Sequence, residues 1–203
     1  MTTDLTKTAR WTQRALQGVA YWMGYRRCLY RDYPLSEGAL VAEVCNLIYA
    51  NLPDHLGLHC EVQYAKLIKS RELPKILQSK IRADLVITEK PARAGSDPVP
   101  EFIIEVKRAS ASKGWIDADL HRLAAARGLC PDARAFLFVI SEANRPRRFV
   151  LKEGQSIGGK RPIPKSDGYY RVRRTWKAAH AFNKREHAQY ACLIEVCAGA
   201  KSR

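Results

Sequence analysis

The chain has 203 residues, of which 46% are hydrophobic, and a formal net charge of +15. This length and composition predict a globular protein with one good core and exclude a disordered chain. No apolar run approaches the roughly 18 residues of a membrane span, and the N-terminus lacks the apolar block of a secretory signal. We therefore expect a cytoplasmic protein without a membrane partner. The six cysteines include no CxxC pair, so a zinc site is not predicted.

The basic charge is concentrated towards the two ends of the chain. Residues 1–35 contain six Lys or Arg and two acids, residues 145–185 contain thirteen and two, and residues 36–144 contain fourteen of each. Such an excess attracts phosphate at long range and favours nucleic acid as a partner, although an anionic membrane surface is attracted as well. An ordinary solvated surface is the simpler interpretation of any one basic run.

The first predicted element is a basic amphipathic helix within residues 1–35. The stripe at helical spacing that predicts it consists of Trp11, Ala15, Val19 and Trp22. Such a helix can cover the core, form a dimer contact or lie on DNA, and the pattern does not distinguish these roles.

Residues 36–144 predict a core in which helices and strands follow one another. One helix is predicted over 36–52, with Ser36 as its N-cap, and a second over 114–128. Alternating or continuous apolar residues predict strands over 56–67, 81–89, 101–108 and 133–141. The order is therefore helix, three strands, helix, strand, in an α/β fold.

Charged residues interrupt two of these strands. Because side chains alternate along a strand, Glu105 and Lys107 lie on one face of the strand 101–108. Pairing of this strand with 81–89 brings Asp84 close to Glu105. Two carboxylates that close repel each other unless a cation lies between them, and their hard oxygen atoms suit Mg²⁺ or Mn²⁺. Lys107 then lies beside the metal.

These residues resemble the PD-(D/E)XK phosphodiesterase superfamily, which includes many restriction endonucleases and repair nucleases. The resemblance covers roughly residues 36–141 and rests on Asp84 in RADLVI and on Glu105 and Lys107 in IIEVKR. Ala83 replaces the proline that usually precedes the aspartate. The resemblance implies a restriction-endonuclease-like core of αβββαβ order, with a mixed central sheet flanked by helices.

The same resemblance implies a Mg²⁺-dependent endonuclease that hydrolyses phosphodiester bonds in DNA, in restriction, defence or repair. Asp84, Glu105 and the carbonyl of Val106 are expected to hold Mg²⁺ or Mn²⁺, which lowers the pKa of an attacking water. Lys107 is expected to hold that water in line. The alternatives are an ion pair of Glu105 with Lys107 or Arg82, and a catalytically inactive PD-(D/E)XK-like module that binds nucleic acid.

Family members often add an acid from the first helix. Glu37 falls at the centre of the apolar face of the helix 36–52, whereas Glu43 lies about 100° away from it, so Glu37 is the predicted fourth catalytic residue. A favourable charge at a helix N-terminus is its other interpretation. Asp117 and Asp119 are expected to be solvated or to pair with basic neighbours, and their helix lacks the glutamine motif of the RecB-like subgroup.

Residues 145–203 predict a basic C-terminal extension that packs on the core and contacts DNA. Within it, residues 173–184 indicate a helix and residues 188–196 a final strand. We expect double-stranded DNA as the partner, and a homodimer or a partner subunit in a larger complex is compatible with the sequence. The side chains predicted to contact nucleic acid are Arg145, Arg147, Arg148, Lys160, Arg161, Arg171, Arg173, Arg174 and Lys177.

Overall fold

The computed structural model describes residues 9–29, 35–68, 72–78, 80–90, 99–179 and 188–199. Its helices are α1 (Arg10–Leu29), α2 (Glu37–Tyr49), α3 (Tyr64–Leu67) and α4 (Lys113–Leu129), with one 3₁₀ turn at Lys75–Leu77. Its strands are β1 (Leu56–Gln63), β2 (Arg82–Glu89), β3 (Pro100–Arg108), β4 (Arg134–Ser141), β5 (Arg161–Pro162), β6 (Tyr169–Ala179) and β7 (Ala188–Cys197).

The seven strands form one mixed sheet in the order β1-β2-β3-β4-β7-β6-β5. β3 and β4 are parallel, and every other neighbouring pair is antiparallel. Parallel neighbours need a long crossover, which α4 supplies. The predictions of an α/β fold, of a mixed sheet flanked by helices and of the element order in 36–144 are therefore confirmed.

Helices cover both faces of the sheet. α4 packs on one side, which we call the α4 face, and α1 and α2 pack on the other, the α1/α2 face. The apolar stripe of α1 is buried against the sheet, with Trp11, Leu16 and Val19 at most 5% exposed. Of the three roles open to this helix, covering the core is the one the structure shows. No helix of the described ranges has the length and apolarity to cross a membrane.

Two predicted elements differ from the structure. The strand predicted over 56–67 ends at Gln63, because the next four residues form a helical turn whose first N–H, of Tyr64, donates to the carbonyl of Ile81. The prediction of a helix over 173–184 is wrong for residues 173–179. These residues belong to β6, which pairs with the whole of β7. Long-range backbone pairing outweighs the helix propensity of this Lys- and Ala-containing segment. Residues 180–187 lie outside the described ranges, and the predicted strand 188–196 is β7.

Candidate active site

The register between β2 and β3 brings two acids together. Leu85 pairs with Ile104, so the next position in the antiparallel register sets Asp84 opposite Glu105. Val86 and Ile103 lie two positions along the strands from Asp84 and Glu105 and belong to the hydrophobic cluster under α4. Both carboxyl groups therefore point to the α4 face. The two carboxyl groups are close enough to interact electrostatically, and Asp84 Oδ2 accepts a hydrogen bond of 2.7 Å from the Val106 N–H.

Glu105 lies in a closed environment. It is 3% exposed, its Oε1 accepts a hydrogen bond of 2.8 Å from Tyr64 Oη, and Arg122 Nε lies 3.6 Å from the same oxygen. Burial, reinforced by the charge of Asp84, raises the pKa of Glu105 to about 8, although Arg122 and the Tyr64 hydroxyl oppose the shift. Burial also raises the pKa of Asp84, against the hydrogen bond from Val106.

The raised pKa of Glu105 predicts that the cation-free protein loses stability as pH rises. Unfolded Glu105 ionises near its ordinary pKa of 4.5, while folded Glu105 keeps its proton up to about pH 8. Between these values the folded state binds more protons, so the free energy of unfolding falls with rising pH, by at most about 1.4 kcal/mol per pH unit for this group. In urea denaturation in EDTA between pH 4.5 and about 8, the free energy of unfolding should fall less steeply with pH in Glu105→Gln than in the wild type. Equal declines in the two proteins would mean that another group causes the effect.

Lys107 lies at the end of β3 between the helical layers. Its Nζ is 2.6 Å from Glu37 Oε1 and 3.4 Å from Asp119 Oδ2, so it contacts acids from α2 and from α4. Glu37 is held there because it is the first residue of α2, whose N-cap Ser36 accepts a hydrogen bond from the N–H of Ala39. The Glu37 side chain is 43% exposed, whereas the Asp119 side chain is fully buried.

The partners of Glu105 and Asp119 differ in part from those expected from sequence. Across the described ranges, Glu105 forms an ion pair with neither Lys107 nor Arg82; its cationic neighbour is Arg122. Asp119 does pair with basic neighbours as expected, but it is buried and not solvated. A helical wheel would have indicated this position, since Asp119 falls on the face of the inward-pointing residues of α4. Tyr64 and Arg122 were missed by sequence reasoning, and no pattern in the chain marks them.

Arg122 connects two buried acids, because it contacts Asp119 as well as lying beside Glu105. Arg122→Met should therefore lower the free energy of unfolding by about 3 kcal/mol, since it removes the cation beside buried Glu105 and one of the two cations that contact buried Asp119. Urea denaturation measures the change. Arg14→Met, which removes an exposed arginine from α1, is the matched control and should change stability by less than about 0.5 kcal/mol. Similar midpoints for the two variants would contradict the role given to Arg122.

Three of the residues predicted to contact nucleic acid follow β4. They lie at the same end of the β3–β4 pair as Lys107, because Lys107 pairs with Val139 near the end of β4. Arg148 pairs with Asp117 at 2.6 Å, and Arg145 Nη1 donates to the carbonyl of Val150. Arg147 is exposed.

The other predicted contacts lie on or beside β6, three strands from β3 and so about 14 Å away across the sheet. Glu195 binds both Arg134 and Arg173, so Arg173 already has an anionic partner. Arg171 and Arg174 lie opposite Glu195 and Leu193 and share the α1/α2 face with them, away from Asp84 and Glu105. Lys160 and Arg171 contact the ring of Tyr169, and the remaining three are exposed: Arg161, Arg174 and Lys177.

The donors at the β2–β3 site fit a hard divalent cation. Asp84 and Glu105 supply two adjacent carboxyl groups. The N–H of Val106 points towards β2, where it donates to Asp84. Its carbonyl points the same way, because the N–H and C=O of one strand residue face the same neighbouring strand. In the described parts of the chain, no cluster of three or more acidic, His or Cys side chains suited to a metal occurs. Comparisons with protein-family models, curated proteins and solved structures found no match.

Proposed function

We propose that the protein is a Mg²⁺- or Mn²⁺-dependent endonuclease of the PD-(D/E)XK type that hydrolyses phosphodiester bonds in DNA. The observation that carries the proposal is the convergence of Asp84, Glu105 and Lys107 at one end of β2 and β3, with Glu37 contacting Lys107 from the preceding helix. The sheet supports it as well. Three antiparallel strands, a helical crossover and a parallel fourth strand are the arrangement that a restriction-endonuclease-like core implies.

The residues of the site have distinct roles in this mechanism. Asp84, Glu105 and the Val106 carbonyl would hold the cation, and a cation bound there would supply polarisation of the phosphoryl group and a lower pKa of the attacking water. The Val106 N–H fixes the Asp84 carboxylate in place. The ammonium of Lys107, oriented by Glu37 and by Asp119, donates a hydrogen bond to the attacking water and offsets negative charge on the phosphate.

Cleavage of supercoiled plasmid by the purified protein tests this function. We expect nicked and linear products with Mg²⁺ or Mn²⁺ and none in EDTA. Single-stranded DNA and linear duplex should be assayed in parallel to identify the preferred DNA structure. Absence of cleavage of all three substrates with both cations would overturn the proposal.

A catalytically inactive module that binds nucleic acid is the second candidate. The deep burial of Glu105 and the engagement of Lys107 by two carboxylates favour it, because such a network can also serve stability alone. Binding of DNA without cation-dependent cleavage in the plasmid assay would select this candidate.

The side of the protein that faces DNA can be tested with two exposed arginines. Arg147 follows β4 near Lys107, whereas Arg174 lies on the α1/α2 face. If DNA approaches the site, Arg147→Ala should flatten the slope of log affinity against log salt by about 0.9, the effect of one lost phosphate contact on duplex DNA. Arg174→Ala is the matched control, with an unchanged slope. Fluorescence anisotropy across a salt series measures both, and the opposite ranking would assign DNA to the other face.

A further inference from the structure

A cleft of about 610 Å³ opens beside the candidate active site. Its walls come from the segment after β3, the start of α4, the segment after β4 and the residues around β5. Four of its lining residues are basic, and none is acidic: Lys113, Arg145, Arg147 and Arg148. The volume is within the range of small-molecule sites, and the excess of positive charge selects an anionic ligand.

The cleft is directly next to Lys107. Val139, which lines it, is opposite Lys107 in the β3–β4 register. Ala109 also lines it and is the first residue after β3, two positions beyond Lys107. A strand of nucleic acid with its phosphate at Lys107 therefore has its adjoining nucleotide at the mouth of the cleft.

The inner wall of the cleft is largely apolar and includes one fixed guanidinium, that of Arg148. Arg148 donates to Tyr170 Oη, pairs with Asp117, and lies over the rings of Phe149 and Tyr170 at 5.5 and 5.4 Å. Its plane is thus held by four contacts and is not free to follow a ligand. The rest of the inner wall is apolar, and includes Ile116, Val139 and Phe149. Arginine planes and aromatic rings are the surfaces on which unpaired bases stack.

At the mouth of the cleft, Lys113 and Arg147 are exposed cations. A ligand that satisfies both regions has a planar, weakly polar body and a phosphate group, which is the chemistry of a nucleotide. A base that is paired and stacked in duplex DNA cannot enter such a cleft, whereas an unpaired base enters at the lowest cost.

We propose that this cleft binds one unstacked nucleotide of the substrate strand next to the cleaved phosphodiester. Lys113 and Arg147 hold its phosphate, and its base lies against the inner wall. The inference rests on the proposed nuclease function and narrows its substrate class to DNA with an unpaired nucleotide close to the cleavage position.

Binding of deoxyadenosine 5′-monophosphate to the full-length protein in EDTA tests the cleft without any cleavage. By isothermal titration calorimetry, we expect the nucleotide to bind about tenfold or more tightly than inorganic phosphate. Lys113→Ala combined with Arg147→Ala should weaken it by about tenfold or more. Ala111→Leu, which narrows the cleft, should weaken the nucleotide and leave phosphate unchanged. Lys152→Ala, an exposed lysine outside the lining, is the matched control and should have no effect.

A competition experiment separates a strand nucleotide from a free one. A short duplex with one unpaired adenosine should displace the mononucleotide at lower concentration than the fully paired duplex, and Ala111→Leu should remove this difference. Equal displacement by the two duplexes, or nucleotide binding that none of the cleft variants changes, would overturn the inference. Plasmid cleavage without nucleotide binding refutes the cleft alone, and nucleotide binding without cleavage refutes the nuclease alone.

Discussion

Asp84→Asn and Glu105→Gln should each reduce Mg²⁺-dependent cleavage of DNA below detection while leaving affinity for DNA unchanged or higher. Each substitution keeps the size of the side chain and removes one of the two carboxyl groups of the proposed metal site. Loss of the cation removes the charge that stabilises the phosphoryl transition state, a contribution of several kcal/mol. Neither substitution adds negative charge near the phosphate, and Glu105 already keeps its proton in EDTA up to about pH 8, so binding should persist.

Cleavage is measured on plasmid under single-turnover conditions, and affinity by anisotropy in EDTA. Glu43→Gln provides the control, because Glu43 is a partly buried acid of α2, the helix that also supplies Glu37. It should cleave as the wild type does. Full activity in either Asp84→Asn or Glu105→Gln would exclude the proposed metal site.

Lys107→Met should slow the chemical step by about 10² to 10⁴, the usual contribution of a group that transfers or positions a proton. The methionine keeps most of the apolar stem and removes the ammonium that contacts Glu37 and Asp119. Affinity for Mn²⁺, measured by calorimetry, should stay within a few fold of the wild type, since Lys107 is not one of the proposed ligands.

Two comparisons separate a chemical role of Lys107 from a structural one. Glu37→Gln keeps a hydrogen-bonding partner for the ammonium and should slow the chemical step less than Lys107→Met does. Unfolding in urea shows how much of the effect comes from the buried Asp119, which loses one of its two cations in the Met variant. If Lys107→Met loses Mn²⁺ as completely as Asp84→Asn does, Lys107 is a structural partner of the acids and not a participant in the reaction.

The part of the site that follows from local periodicity could be predicted from sequence. Alternation along β3 places Glu105 and Lys107 on one face, and simple strand pairing brings Asp84 opposite Glu105. The helical wheel of α2 likewise selects Glu37, which the structure places against Lys107. These relations depend on residues a few positions apart or on a simple strand pairing.

The remainder depends on contacts between distant segments. Tyr64 reaches Glu105 only because β1 ends at Gln63 and the chain turns there, an end that the apolar pattern does not mark. β6 has a helix-like composition and is extended because β7 is available to pair with it. From sequence, Arg173 is one of the basic residues predicted to contact DNA, but in the fold it pairs with Glu195.

The position of β7 also determines when this molecule can become complete during its synthesis. β7 begins at residue 188, yet it is inserted between β4 and β6 and pairs with both. Until it has left the ribosome, β4 has an unpaired edge, and α1 lacks much of the surface on which it packs, although α1 was made first. α1 can therefore complete its packing only after β7 has been synthesised. Because Asp84 and Glu105 lie on the sheet that β7 completes, their stable placement is likewise reached only after that point.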